Sequence, residues 1–167
     1  NVSGNQTWEA TVITLFPEMF PGSLGFSLAG RALKEGLWSL KTVDIRSFAQ
    51  DKQQTVDGTP FGGGPGMVMR ADVIDAAISS LDKSFNLPII YLTPRGKPLN
   101  RVRVKELTKE AGIILLCGRY EGVDERIIES DVDYEISIGD YVISGGELAS
   151  MVLIDAVSRR LDNVLGN

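Results

Sequence analysis

Histidine is absent from all 167 residues, and cysteine occurs once, as Cys117. A Ser-His-Asp triad, a Cys-His pair, an HExxH metal helix, a zinc knot and an intramolecular disulfide are therefore excluded within the chain. Any acid–base chemistry must run on carboxylates, Lys, Arg, Tyr or backbone groups. Long apolar runs are missing as well. None approaches the ~18 residues that span a bilayer, and Asn1 to Trp8 lacks the charged-then-apolar layout of a signal peptide. A basic excess is also lacking: the net charge is −5, so overall charge supplies no grip on nucleic acid. Together these absences predict a soluble, cytoplasmic protein without a membrane partner.

What is present suits one compact domain, with 43% hydrophobic and 23% charged residues. A chain of this length buries roughly 70% of its unfolded surface. It starts at Asn1 rather than Met and stops at Gly166-Asn167, just after Val164-Leu165, which predicts a segment of a longer protein. No internal repeat or linker divides it.

Short β-branched runs alternate with helix-period stretches and are joined by Gly- and Pro-containing turns, the pattern of a parallel α/β sheet flanked by helices. Strands are expected at Thr11 to Leu15, Leu40 to Ile45, Pro88 to Leu92, Ile113 to Cys117 and Tyr134 to Ile138. Helices are expected at Ser27 to Glu35, with Gly36 as its stop, and at Asp72 to Leu81, Arg101 to Glu110, Asp124 to Ser130 and Glu147 to Arg160. Periodicity vanishes from Arg46 to Gly66, which predicts a long functional loop.

Each of the last three strands runs into a loop rich in glycine or proline: Tyr91 to Gly96, Gly118 to Gly122, and Ser137 to Glu147. Ligands of open α/β sheets sit outside the carboxyl ends of the strands, so a site is expected where these loops meet. Gly62 to Gly66 is not a P-loop, because Met67-Val68-Met69 follows where Lys and a hydroxyl residue are required. A backbone-rich loop touching a substrate fits it better. Asp131-x-Asp133-x-Glu135 lacks the Gly and final Glu of a calcium loop and is expected to be an exposed strand lead-in. Cys117 ends an apolar run, as a buried small residue would. Charge is segregated: six basic residues between Arg95 and Lys109 face Glu106 alone, while nine acids between Glu121 and Glu147 face Arg126 alone. The basic stretch suits phosphate contacts and a solvated helix face equally well.

Several stretches resemble a known family. Leu15-Phe16-Pro17-Glu18-Met19-Phe20, Gly30-Arg31-Ala32, Thr55-Val56-Asp57, Gly62-Gly63-Gly64-Pro65-Gly66-Met67, Cys117-Gly118-Arg119-Tyr120-Glu121-Gly122-Val123-Asp124-Glu125-Arg126 and Ser137-Ile138-Gly139-Asp140-Tyr141-Val142-Ile143-Ser144-Gly145-Gly146-Glu147 look like the bacterial tRNA (guanine-N1)-methyltransferase (TrmD) family of the SPOUT class. The resemblance runs in order along nearly the whole chain. It implies a parallel α/β fold whose C-terminal part is tied in a deep trefoil knot, an exception to the unknotted rule. It also implies methyl transfer from S-adenosylmethionine to N1 of guanosine 37 of tRNA, just 3′ of the anticodon.

By the same resemblance, the cofactor is held by Tyr91, Leu92, Thr93 and Pro94, by Gly118, Tyr120 and Gly122, and by Ser137, Ile138, Gly139, Tyr141, Ile143, Gly145 and Gly146. Arg159 matches the catalytic arginine, suited to charge developing on guanine O6. Asp57, Pro65 and Gly66 match positions near the target base. Glu121 joins them as a substrate-side acid linked to a magnesium dependence, with no firm metal site otherwise. The general-base aspartate of the family falls beyond Asn167, in the linker to a C-terminal helical tRNA-binding domain. Residues 1–167 thus correspond to the cofactor-binding catalytic domain, working in a homodimer that shares its active sites. Alternatives are another SPOUT RNA methyltransferase and a non-catalytic RNA-binding module.

Overall fold

The computed structural model describes residues 7–119 and 121–165. Seven strands and five α-helices follow in the order β1 (Trp8–Thr14), α1 (Ser27–Lys34), β2 (Trp38–Asp44), β3 (Asp57–Gly58), β4 (Val68–Met69), α2 (Ala71–Ser79), β5 (Ile89–Pro98), α3 (Arg101–Thr108), β6 (Gly112–Leu116), α4 (Glu125–Asp131), β7 (Tyr134–Ser137) and α5 (Gly146–Ser158). Five strands form one parallel sheet in the order β2-β1-β6-β5-β7. β3 and β4 make a separate antiparallel pair.

The sheet is buried on both faces, which is why its central strands are continuous apolar runs: every residue of β6 is buried. Side chains still alternate. Ala10 and Val12 of β1, Ile113 and Leu115 of β6, and Ile90 and Leu92 of β5 face one core, shared with residues of α1, α3 and α5. Ile13, Ile114, Leu116 and Tyr91 face the other, shared with α2 and α4. Trp8 and Trp38 are core residues whose indole N–H groups donate to Leu107 O at 3.2 Å and Ala29 O at 2.9 Å. Helix α1 stops as expected, with Leu37 N donating to Ala32 O across Gly36 at 2.9 Å.

Two expectations need correction. The segment from Tyr91 to Gly96 is not a loop that follows a strand; β5 continues through it to Pro98. Leu92 and Lys97 both stand opposite Ile136 of β7, so Thr93 to Gly96 bulge out of an unbroken strand. The segment from Arg46 to Gly66 is not wholly irregular either: it begins in a 3-10 turn at Ile45–Phe48 and contains β3. Both were hidden by the prolines and glycines that punctuate these stretches. The remaining elements lie within about three residues of their expected bounds.

Candidate functional site

Because the five strands are parallel, their carboxyl ends share one edge, and the three expected walls meet there around a cavity of about 480 Å³. Tyr91, Leu92, Thr93 and Pro94 line it from β5, Gly118 and Gly122 from the segment after β6, and Ile138, Gly139, Tyr141, Ile143, Gly145 and Gly146 from the segment between β7 and α5. Of the residues expected to hold the cofactor, Ser137 stands behind the wall: its hydroxyl accepts from Gly139 N at 3.1 Å and donates to Gly139 O at 2.9 Å, shaping the turn. Tyr120 lies outside the described residues. Burial pushes the Tyr91 phenol above its ordinary range, so the ring is a neutral wall.

The second and third walls are fixed to one another. Gly146 N donates to Gly118 O at 3.0 Å. Beneath the walls lies a buried strut that no sequence expectation named. Glu147, in the first turn of α5, has a side chain only 1% exposed. Its carboxylate accepts from Thr14 Oγ1 at 2.6 Å and from Arg119 Nε at 3.0 Å, with Arg119 Nη2 at 2.9 Å. The Arg119 guanidinium also stacks 4.4 Å from the Phe16 ring centroid. A Cβ on Gly145 would come within 2.3 Å of Arg119 Nε and would push the guanidinium off Glu147. Cys117, fully buried, contacts Ser150 Oγ at 3.2 Å, and burial drives its thiol pKa up, as an inert core residue requires.

The residues expected to meet the substrate form an arm attached to the second wall. Glu121 N donates to Met67 O at 2.9 Å, Met69 N to Gly122 O at 2.9 Å, and Asp124 N to Met69 O at 3.1 Å. Gly66, at φ +83°, rests on Glu121: an added Cβ would fall 2.6 Å from Glu121 Cγ. Glu121 also lines the cavity, so it joins the arm to the cavity wall. Asp57 stands at the base of the arm, in β3, opposite Met69 of β4, and Pro65 is exposed near its tip. Among the described residues no group of three or more His, Cys, Asp or Glu side chains is arranged to hold a metal.

Asp124 caps α4, accepting from Arg126 N at 2.9 Å, and forms a two-pronged pair with the Arg126 guanidinium at 3.0 and 2.8 Å. That guanidinium in turn stacks 4.5 Å from the exposed Phe61 ring of the arm. Hydrogen bonding from Arg126 holds the Asp124 carboxyl below its ordinary value of 3.8. A depressed carboxylate stabilises the fold above the unfolded-state pKa and stops doing so as pH falls through the folded one. Asp124→Ala should accordingly lose about 1–2 kcal/mol at neutral pH. In denaturant titrations its gap to wild type should persist down to about pH 4 and close below it; a gap independent of pH would contradict the pairing.

Arg159 is not in this cavity. It is the C-cap of α5, about 20 Å along the helix from Gly146 at 1.5 Å per residue. There it lines a second hollow with Leu24, Phe26, Leu148, Met151 and Val152. Phe26, Leu148 and Val152 are exposed apolar side chains on this face.

Among the described residues no helix is long and apolar enough to cross a membrane. Comparison with known proteins places residues 8–167 in register with the family described as tRNA (Guanine-1)-methyltransferase TrmD. The chain is 57% identical over 160 residues to a tRNA (guanine-N(1)-)-methyltransferase of Rhodopseudomonas palustris strain TIE-1, covering 96% of this chain and 64% of that protein. A tRNA (guanine-N(1)-)-methyltransferase of Bartonella bacilliformis is 57% identical over 161 residues, covering 96% and 68%. One of Rhodospirillum rubrum is 59% identical over 157 residues, covering 94% and 65%. The chain thus spans about two thirds of the length of the curated relatives it matches.

Proposed function

The chain belongs to the tRNA (guanine-1)-methyltransferase family, and from that membership we propose that it is the cofactor-binding catalytic part of a cytoplasmic enzyme that methylates N1 of guanosine 37 in tRNA, with S-adenosylmethionine as donor. The observation that carries this reading is the convergence of three irregular segments on one cavity at the carboxyl edge of a parallel sheet. Its volume lies within the range of small-molecule sites. Its walls combine apolar side chains such as Leu92, Ile138 and Ala149 with glycine-exposed backbone. Adenine needs that combination: flat apolar contact and main-chain donors and acceptors at its edge.

Tyr91, Leu92, Thr93 and Pro94, Gly118, Tyr120 and Gly122, and Ile138, Gly139, Tyr141, Ile143, Gly145 and Gly146 would hold S-adenosylmethionine, with Ser137 shaping the turn beneath. When bound, the cofactor supplies a methyl group activated on a sulfonium. The protein has two further tasks. Guanine N1 carries a proton that must leave, and charge gathers on O6 as it does. Arg159 receives that charge, and an aspartate in the linker beyond Asn167 takes the proton. Asp57, Pro65 and Gly66 seat the base, and Glu121, between arm and cavity, carries the magnesium dependence.

The distance between Arg159 and the cavity along α5 favours a homodimer in which each arginine serves the partner's cavity. The exposed apolar face around Arg159 suits a second copy. A deep trefoil knot is the fold that goes with this arrangement. The start of α5 packs closely on the end of β6, where a Cβ added at Gly146 would lie 2.9 Å from Cys117 Cα. A C-terminal helical domain, in the third of the relatives' length beyond this chain, completes the grip on tRNA.

Calorimetry tests the reading directly. Residues 1–167 should bind S-adenosylmethionine or its demethylated product but turn over poorly, since loss of a general base removes on the order of 10² to 10⁴ in rate. Absence of binding at millimolar ligand would refute the cofactor site. Robust methylation by residues 1–167 alone would refute the placement of the base.

A further inference from the structure

We propose that Arg95, Lys97 and the exposed face of α3 form a docking track for the phosphate backbone of tRNA, an assignment that rests on the tRNA reading above. The track begins at the cavity mouth, where Arg95 is part of the lining. It follows the β5 bulge through Lys97, opposite Ile136, to the Asn100 cap of α3. Along α3, Arg101, Lys105 and Lys109 recur every fourth residue. They keep within an arc of about 80° and span about 12 Å of axis. Val104 and Leu107 are the buried residues of the helix and lie outside that arc.

Three features separate this face from an ordinary solvated helix. First, it concentrates charge against the trend of the molecule: six of the 17 basic residues lie between Arg95 and Lys109 in a chain of net charge −5. Second, these charges are uncommitted. Among the described residues, Arg95, Lys97, Arg101, Lys105 and Lys109 are exposed and enter no ion pair with a carboxylate. The one acid of the stretch, Glu106, is engaged by Arg103 at 3.3 Å, and Arg103 also stacks 4.5 Å from Tyr134. Third, the charge at the start of α3 opposes folding, although Lys105 in its last turn and Lys109 at its C-cap do not. The first turn of α3 holds Arg101 and Arg103 and no acid, although the positive end of the helix dipole favours acids there. A helix shaped for stability alone would reverse that charge, whereas a polyanion passing over it would not.

A nucleotide seated at the cavity needs the strand leading to it to be held in register, and phosphate contacts are what position a nucleic acid.

The test is tRNA binding by the full-length protein across a salt series, read by fluorescence anisotropy. Removing one cation that touches a phosphate should flatten the slope of log K against log salt by about 0.7 to 0.9. The triple variant Lys97→Gln, Arg101→Gln, Lys105→Gln should therefore flatten it by about 2, with unchanged calorimetric affinity for S-adenosylhomocysteine. Arg101→Glu separates binding from folding, because the dipole argument predicts a Tm at or above wild type alongside weaker tRNA binding. An unchanged slope in the triple variant, with wild type binding and methylating tRNA, overturns the track and leaves the proposed function standing. Weaker tRNA binding that merely follows a fall in Tm also overturns it. Wild-type protein that binds no tRNA overturns both.

Discussion

Arg159→Ala in the full-length protein is expected to lower kcat for tRNA methylation by on the order of 10²- to 10³-fold, the loss typical of one donor to a developing oxyanion. Calorimetric affinity for S-adenosylmethionine should not change. The expectation follows from position: Arg159 ends α5, while the cavity is walled by the segment that begins it. A residue so placed does not hold the cofactor of its own chain. The proposed homodimer predicts complementation. Mixing Arg159→Ala subunits with subunits carrying Gly139→Val, a substitution in the lining of the cavity, pairs one intact cavity with one intact arginine across the proposed interface. Activity in the mixed dimer should rise well above that of either parent. Failure to recover activity in verified mixed dimers would place the arginine in service of its own chain's cavity.

The second large effect concerns the strut. Arg119→Ala leaves the Glu147 carboxylate buried with Thr14 as its remaining donor. Breaking a buried pair from one side typically costs 3–5 kcal/mol, because a charge is stranded away from water. Denaturant unfolding should show a loss of about that size. The double variant Arg119→Ala, Glu147→Gln should recover part of it, since no stranded charge remains. Cofactor affinity should fall in both, because Arg119 and Glu147 set the spacing between the second and third walls. Equal destabilisation by the single and double variants would mean that the pair acts through packing instead.

Much of this architecture is legible in the residues alone, for identifiable reasons. Buried parallel strands announce themselves as apolar β-branched runs, and Ile113 to Leu116 could hardly be anything else. The glycine-rich segments point to the cavity because irregular backbone at strand ends is where such sheets bind ligands. The course of β5 is hidden because Pro94 and Pro98 signal a break, and only pairing with β7, more than thirty residues later, carries the strand past them. The strut is hidden more deeply. A glutamate in the first turn of a helix is already accounted for by the helix dipole, so nothing in Glu147's local context hints at burial. Its partners are Thr14, 133 residues away, and Arg119, 28 residues away. The remoteness of Arg159 from the cavity is equally invisible, since a motif match gives a residue's role without its distance from the rest of the site.

The splice between the glycine-rich arm and the second wall has a consequence for any molecule designed to fill the cavity. Met67 and Met69 are bonded through their backbones to Glu121, Gly122 and Asp124, and Gly66 leaves no slack against Glu121. The two surfaces therefore behave as one lever rather than as two adjacent sites. A ligand that pushes Gly122 outward also pushes Met69, and with it the arm that ends in Phe61 and Pro65. By reciprocity, an RNA that pins the arm stiffens the floor on which that ligand rests. Compounds of equal affinity can thus differ widely in how they affect the RNA side, according to whether they lean on Gly122 or only on the β5 wall opposite.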